Sequence, residues 1–247
     1  QWFPNQDIAA SRTLVSDFRF LRTARSYPRR DLDLDSCLAQ WRQDSALDND
    51  LEDFLRGLVG DQMLAGFQMR ATGRIISEHR KKPTVVTGTI VTAGTGSGKT
   101  MAFYLPALAL LGTELVDDAR PRVRAIAIYP RKELLKDQFN EAFKQCRKLD
   151  ELLTSRGVRK LTIGAFFGDT PHSVSGELKD LGNRSSRPYT LLHCPDEECH
   201  GEMRWTKDDL RTDREILRCS ECSKTITGEE VCLTKEVQKK NPPDILF

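Results

Sequence analysis

The feature that most constrains this chain is a glycine-rich loop, Ala93-Gly94-Thr95-Gly96-Ser97-Gly98-Lys99-Thr100, set between a β-branched run and an apolar one. Val85, Val86, Thr87, Thr89, Ile90, Val91 and Thr92 precede it and read as a strand, while Thr100 to Leu111 read as a helix. Strand, loop and helix in this order make the unit that cradles phosphate. The glycines let successive backbone N–H groups converge on phosphate oxygens, and the N-terminus of the helix adds a favourable dipole. Lys99 is placed to reach β- and γ-phosphates and Thr100 to ligate Mg²⁺, so ATP with Mg²⁺ is the expected ligand. The eight residues follow the Walker A pattern, with alanine in place of its first glycine.

Two more β-branched runs alternate with helical ones. Val123 to Tyr129 leads through Pro130 into a helix reaching about Leu149, and Leu161 to Phe167 ends at Gly168-Asp169-Thr170-Pro171. Such alternation predicts an α/β fold, a parallel sheet with helices on both faces. Upstream, Leu51, Phe54, Leu55, Leu58, Met63, Phe67, Met69, Ile75 and Ile76 recur at helical spacing and predict two short helices beside the core. Residues 1–50 are charged with little apolar periodicity and read as a peripheral segment.

With 38 Lys+Arg against 36 Asp+Glu, any grip on nucleic acid must come from a local surface rather than a global field. The longest apolar stretch, Ala102 to Leu111, contains Pro106 and falls short of the roughly 20 residues that span a membrane, so a cytoplasmic, nucleoid-associated protein is expected. Four of the seven cysteines form two close pairs, Cys194-x₄-Cys199 and Cys219-x₂-Cys222. Thiolates about 2.3 Å from Zn²⁺ in a tetrahedron suit such pairs, and four of them make a structural site. Met203-Arg204-Trp205 and Glu215-Ile216-Leu217-Arg218 read as two strands of a zinc ribbon. His193 and His200 are alternative ligands, and free thiols or an iron–sulfur cluster are the alternative states of the cysteines. Arg204, Lys207, Arg211, Arg214 and Arg218 suit either a phosphate contact or a solvated ribbon face.

The loop, read as A-x-T-G-S-G-K-T, resembles the form typical of superfamily 2 helicases. Pro130-Arg131-Lys132-Glu133-Leu134-Leu135-Lys136-Asp137-Gln138 and Phe166-Phe167-Gly168-Asp169-Thr170-Pro171 resemble two further elements of that group, in the cysteine-rich bacterial repair helicases of the mitomycin-repair type. Arg131 stands where their pattern has threonine, and their cysteines lie near the C-terminus rather than within this lobe. The resemblance implies a first RecA-like domain over residues 51–247, with a zinc-binding insertion at 190–232. It implies that Pro130, Arg131, Lys132, Gly168, Asp169 and Thr170 line a track for one strand, meeting phosphates without reading bases. Phe67-Gln68-x-x-Ala71 resembles the glutamine motif whose amide reads adenine, with Gln62 as competitor.

Hydrolysis also needs an aspartate on Mg²⁺ and a glutamate that orients water. Asp196-Glu197-Glu198-Cys199-His200 mimics that D-E-x-H box, but it follows His193-Cys194-Pro195 rather than a buried strand, and its histidine falls one position late. The chain opens on Gln1 and closes on Ile245-Leu246-Phe247, an apolar run like a strand just begun, so a longer polypeptide is expected. The box, the arginine finger and the second lobe would then follow Phe247, leaving this segment able to bind nucleotide but a poor hydrolase. The expected function is an ATP-dependent DNA helicase or translocase in DNA repair or anti-phage defence, with single-stranded or duplex DNA, or RNA, as partner and a protein partner at the ribbon. A non-hydrolysing nucleotide- or DNA-binding scaffold is the alternative, and a P-loop kinase, which has no use for the element after Pro130, is the third.

Overall fold

The computed structural model describes residues 27–44, 47–81, 86–94, 96–196 and 198–247. The chain enters through β1 (Arg30–Leu32), α1 (Leu34–Asp44) and α2 (Asn49–Val59); β2 (Leu64–Ala65) then pairs antiparallel with β1 and runs straight into α3 (Gly66–Lys81). Asp48 starts α2 by accepting the Leu51 N–H, which satisfies one of the helix's open donors. Although α1 is rich in charge, its Cys37, Leu38 and Trp41 are buried in the same core as α2, and the Trp41 indole N–H donates to the Met69 carbonyl at 3.0 Å. Residues 30–44 therefore pack as part of the lobe rather than beside it.

α4 (Lys99–Asp117) follows the glycine loop. By length and composition it could cross a membrane, but Leu105, Leu108, Ala109 and Leu115 are buried and the helix packs against α2 and α3. Beyond it come β3 (Ala125–Ile126), α5 (Lys132–Arg147), α6 (Asp150–Ser155), β4 (Ile163–Gly164) and α7 (Val174–Leu181). The next stretch, β5 (Ser186–His193), β6 (Glu202–Thr206), α8 (Lys207–Arg211), β7 (Ile216–Cys219) and β8 (Thr225–Thr227), folds into a four-stranded antiparallel sheet in sequence order. β9 (Val231–Cys232), α9 (Lys235–Lys240) and β10 (Ile245–Leu246) return the chain to the first sheet, whose order is β3-β10-β4-β9 with every pair parallel. This sheet with its helices is the α/β, RecA-like arrangement.

The strand expected ahead of the glycine loop does not form within the described residues. Residues 86–94 lie outside any sheet, with Val86 99% and Ile90 90% exposed. β-branched residues make a strand only where a neighbour accepts their backbone groups, and no described strand lies beside them. β3 is likewise shorter than the run from Val123 to Tyr129, because among the described residues it is an edge strand paired only with β10; Ile126 and Ile128 on it and beyond it are exposed.

One carboxylate ties three strands together. Asp244, fully buried ahead of β10, accepts from Arg124 (2.5 Å), from two nitrogens of Arg159 (2.6 and 2.8 Å), and from the Thr162 N–H (2.9 Å) and hydroxyl (3.0 Å). The Arg124 side chain is itself fully buried. Asp244→Ala would strand that guanidinium, and breaking a buried pair from one side costs about 3–5 kcal/mol. A fall of that size in unfolding free energy, measured by urea titration at unchanged slope, is expected; a loss below about 1 kcal/mol would show the cluster to be dispensable.

Candidate nucleotide site and nucleic-acid interface

The glycine loop closes on itself through Ser97, whose hydroxyl and N–H both donate to the Gly94 carbonyl, at 2.7 and 3.3 Å. Gly98 begins α4 in the left-handed region at φ +86, and a Cβ there would lie 2.7 Å from an Arg30 nitrogen and 2.8 Å from the Gln68 amide. Both the angle and the space require glycine. No side chain caps α4, so its first-turn N–H groups stay open toward the loop. The Lys99 ammonium is held over the loop by the Ala93 carbonyl at 2.6 Å, with Gly94 at 3.5 Å. Gly96 lies at φ +77, and Thr95 falls outside the described residues.

Gln68 is buried, and both ends of its amide are engaged within the chain: Oε1 accepts the Ala65 N–H (2.8 Å) and Nε2 donates to the Gly98 carbonyl (2.9 Å). It braces β2 against the glycine loop. Beside it opens a cavity of about 230 Å³ lined by Arg30, Gln62, Thr100, Met101, Glu141 and Gln145 among others. The exposed Gln62 therefore faces the space next to the loop, while Gln68 shapes the space from behind.

The turns after β3 and β4 meet. α5 starts at Lys132 behind Arg131, without a side-chain cap, and the Lys132 ammonium pairs with the Asp169 carboxylate across the gap. Lys132 also lies 6.0 Å from the Phe167 ring centre. Pro130, Arg131, Gly168 and Asp169 line this meeting point, and all four are exposed. Thr170 is different from what its place in Gly168-Asp169-Thr170-Pro171 suggests. It is buried; its hydroxyl donates to the Ala165 carbonyl (2.6 Å) and accepts the Phe167 N–H (3.1 Å), and its own N–H donates to the Phe167 carbonyl (3.2 Å). Its polar groups are spent shaping the turn, which leaves none for phosphate.

The four paired cysteines converge. Sγ of Cys194 lies 3.5 Å from that of Cys222, and Cys199 Sγ lies 3.6 Å from Cys219 Sγ; all four sulfurs fall within 4.8 Å of one another. Sulfurs about 2.3 Å from a common ion in a tetrahedron would sit at such separations. The Gly201 and Glu221 N–H groups point at Cys199 and Cys219 sulfurs, each at 3.4 Å, as donors do toward thiolates. Burial opposes ionisation of Cys219, yet the backbone N–H groups of Glu221 and Cys222 bring its thiol down to about 7. A Cβ on Gly201 would collide with the Cys219 sulfur, so the knuckle is built tightly around the thiols. Neither His193 nor His200 belongs to this cluster. The Asp196 carboxylate accepts the Glu198 N–H and its carbonyl the Cys199 N–H, so the D-E-x-H mimic is part of this turn. Of the five basic side chains singled out as phosphate contacts, four are tied within the chain: Arg204 to Glu202, Arg211 to Asp208, Arg218 to Asp209 and Lys207 to the Gly182 carbonyl.

Residues 68–182 match the DEAD/DEAH box helicase family. Over this stretch, a little under half of the chain, the sequence is similar to that family's helicase domain. It is 40% identical over 77 residues to the ATP-dependent RNA helicase ROK1 of Yarrowia lipolytica, a match covering 28% of this chain and 14% of the relative. It is 32% identical over 116 residues to the Druantia protein DruE of Escherichia coli, covering 43% of this chain and 6% of that protein. The matched part thus spans a small fraction of either relative's length. No solved structure matches. The matched segment begins at Gln68 and ends after α7, so it takes in the glycine loop and both facing turns but leaves out the cysteine-bearing sheet. Arg30 on β1 and Glu141 and Gln145 on α5, which join the cavity beside the glycine loop, are signalled by no motif in the sequence.

Proposed function

We propose that this chain supplies the ATP-binding lobe of an ATP-dependent helicase or translocase acting on DNA. The observation that carries the reading is the convergence of the turns after β3 and β4, joined by Lys132 and Asp169 beside the open N-terminus of α5. Backbone N–H groups there offer phosphate contacts that ignore base identity, which is what a moving motor needs. Lys99 would hold the β- and γ-phosphates of ATP and Thr100 the Mg²⁺, with the cavity bordered by Gln62 and braced by Gln68 receiving the base. Cys194, Cys199, Cys219 and Cys222 would hold Zn²⁺, whose chemistry with four thiolates is structural, fastening β5 to β7. DNA is favoured by the likeness of the two turn elements to repair helicases, and DNA repair or defence against foreign DNA is the setting that fits.

The test is a titration of labelled single strands, DNA and RNA in separate arms, at several salt concentrations. Lys132→Ala should weaken binding equally across base sequences and lower the salt slope by about 0.7, one phosphate contact on a single strand. ATP affinity should hold. A parent chain that binds no strand but keeps its ATP affinity would favour a scaffold instead.

A further inference from the structure

We infer that the antiparallel sheet β5–β8 is the second wall of the nucleic-acid path, with Lys136 and Arg187 gripping the phosphodiester backbone beyond Lys132. This extension rests on the proposed function above. Lys136 lies four residues after Lys132 and so on the same face of α5. Both line a groove of about 510 Å³ whose opposite side is β5, from Arg187 to Leu191, with Phe167 and Asp169 between. Lys136 has no ion-pair partner among the described residues. Arg187 is held only through one nitrogen, 3.2 Å from Glu177, and its side chain is 41% exposed, so most of its donor fork remains open to the groove. Burial raises the Glu177 carboxyl above its ordinary value, against the opposing pull of Arg187.

The wall is fixed in place. Asn140 on α5 donates from its amide nitrogen to the Leu191 carbonyl (2.7 Å) and accepts the His193 N–H on its oxygen (2.8 Å). The side-chain amide thus replaces a neighbouring strand along the free edge of β5, so the helix that opens the track also sets the distance to Arg187. The groove continues from the Lys132–Asp169 junction without interruption, and its cations outnumber its carboxylates, which suits a polyanion that has already met Lys132. β5 lies outside the matched segment, so the likeness to helicases assigns this wall no role.

Lys136→Gln combined with Arg187→Gln keeps the side-chain stems while removing both charges. Anisotropy titrations of the 247-residue chain with labelled single-stranded DNA, and separately RNA, should show Kd rising about tenfold and the salt slope falling by about 1.4, two phosphates' worth. Lys136→Arg with Arg187→Lys should restore both. A glutamine pair that matches the parent, while Lys132→Ala is weakened, overturns the second wall and leaves the track standing. A glutamine pair weakened with no change in salt slope, or not rescued by the charge-conserving pair, also overturns it, because the loss is then structural. A parent chain that binds neither strand removes both readings together.

Discussion

Lys99→Ala is expected to lower ATP affinity by about a hundredfold or more while the unfolding midpoint stays near that of the parent. A charge-assisted contact is worth about 1.5–3 kcal/mol. Lys99 would make more than one of these to the β- and γ-phosphates, and each factor of ten corresponds to about 1.4 kcal/mol. The fold has little at stake, since among the described residues the ammonium touches only the Ala93 and Gly94 carbonyls of its own loop. Calorimetry with Mg²⁺-ATP decides the matter, and unchanged affinity in a folded variant would remove the assignment. Gly98→Ala should fail by another route: its Cβ would be strained at φ +86 and would press on Arg30 and Gln68, so both nucleotide affinity and local stability should drop.

Metal removal has the second large effect. Elemental analysis is expected to find about one zinc per chain, and chelation should release it together with the order of β5 to β8, because ion and fold are coupled at such sites. Cys219→Ser with Cys222→Ser should do the same. Gly201→Ala offers a sharper version: it keeps all four ligands yet places a methyl group against the Cys219 sulfur, so zinc retention should fall without loss of a thiol. After chelation, iodoacetamide should modify the four cluster cysteines, while burial holds Cys146 and Cys232 near a pKa of about 12 and keeps the buried Cys37 raised as well. Protein purified without chelator that contains no metal would contradict the site.

What could be read from the chain alone was whatever depends on local order. The glycine loop, the paired cysteines and the helical spacing around Phe54 and Leu58 each carry their meaning within a few residues, and the structure has α2, α4 and a four-thiol cluster there. Properties that depend on a distant partner were not legible. Thr170 looks like a phosphate contact until the Ala165 carbonyl is seen beneath its hydroxyl, and Gln68 looks like a base reader until Gly98 and Ala65 occupy its amide. α1 was hidden because its three buried residues, Cys37, Leu38 and Trp41, are outnumbered by polar ones. Of the antiparallel sheet, β6 and β7 could be read, whereas Pro188 obscured β5 and three residues are too few to announce β8. Asn140 has no local signature at all; its role exists only because β5 comes back to lie against α5.

The outer side of β3 bears on how the protein behaves in a tube. Ala125 and Ala127 donate to the β10 side, whereas the other side of the strand has no partner among the described residues, and Ile126 and Ile128 stand 68% and 86% exposed upon it. A short open edge with β-branched side chains and no lysine within it is the kind of surface on which two copies add strand to strand. As the chain is concentrated, therefore, self-association should begin along β3, and a lysine in place of Ile126 or Ile128 would make the same chain easier to keep in solution.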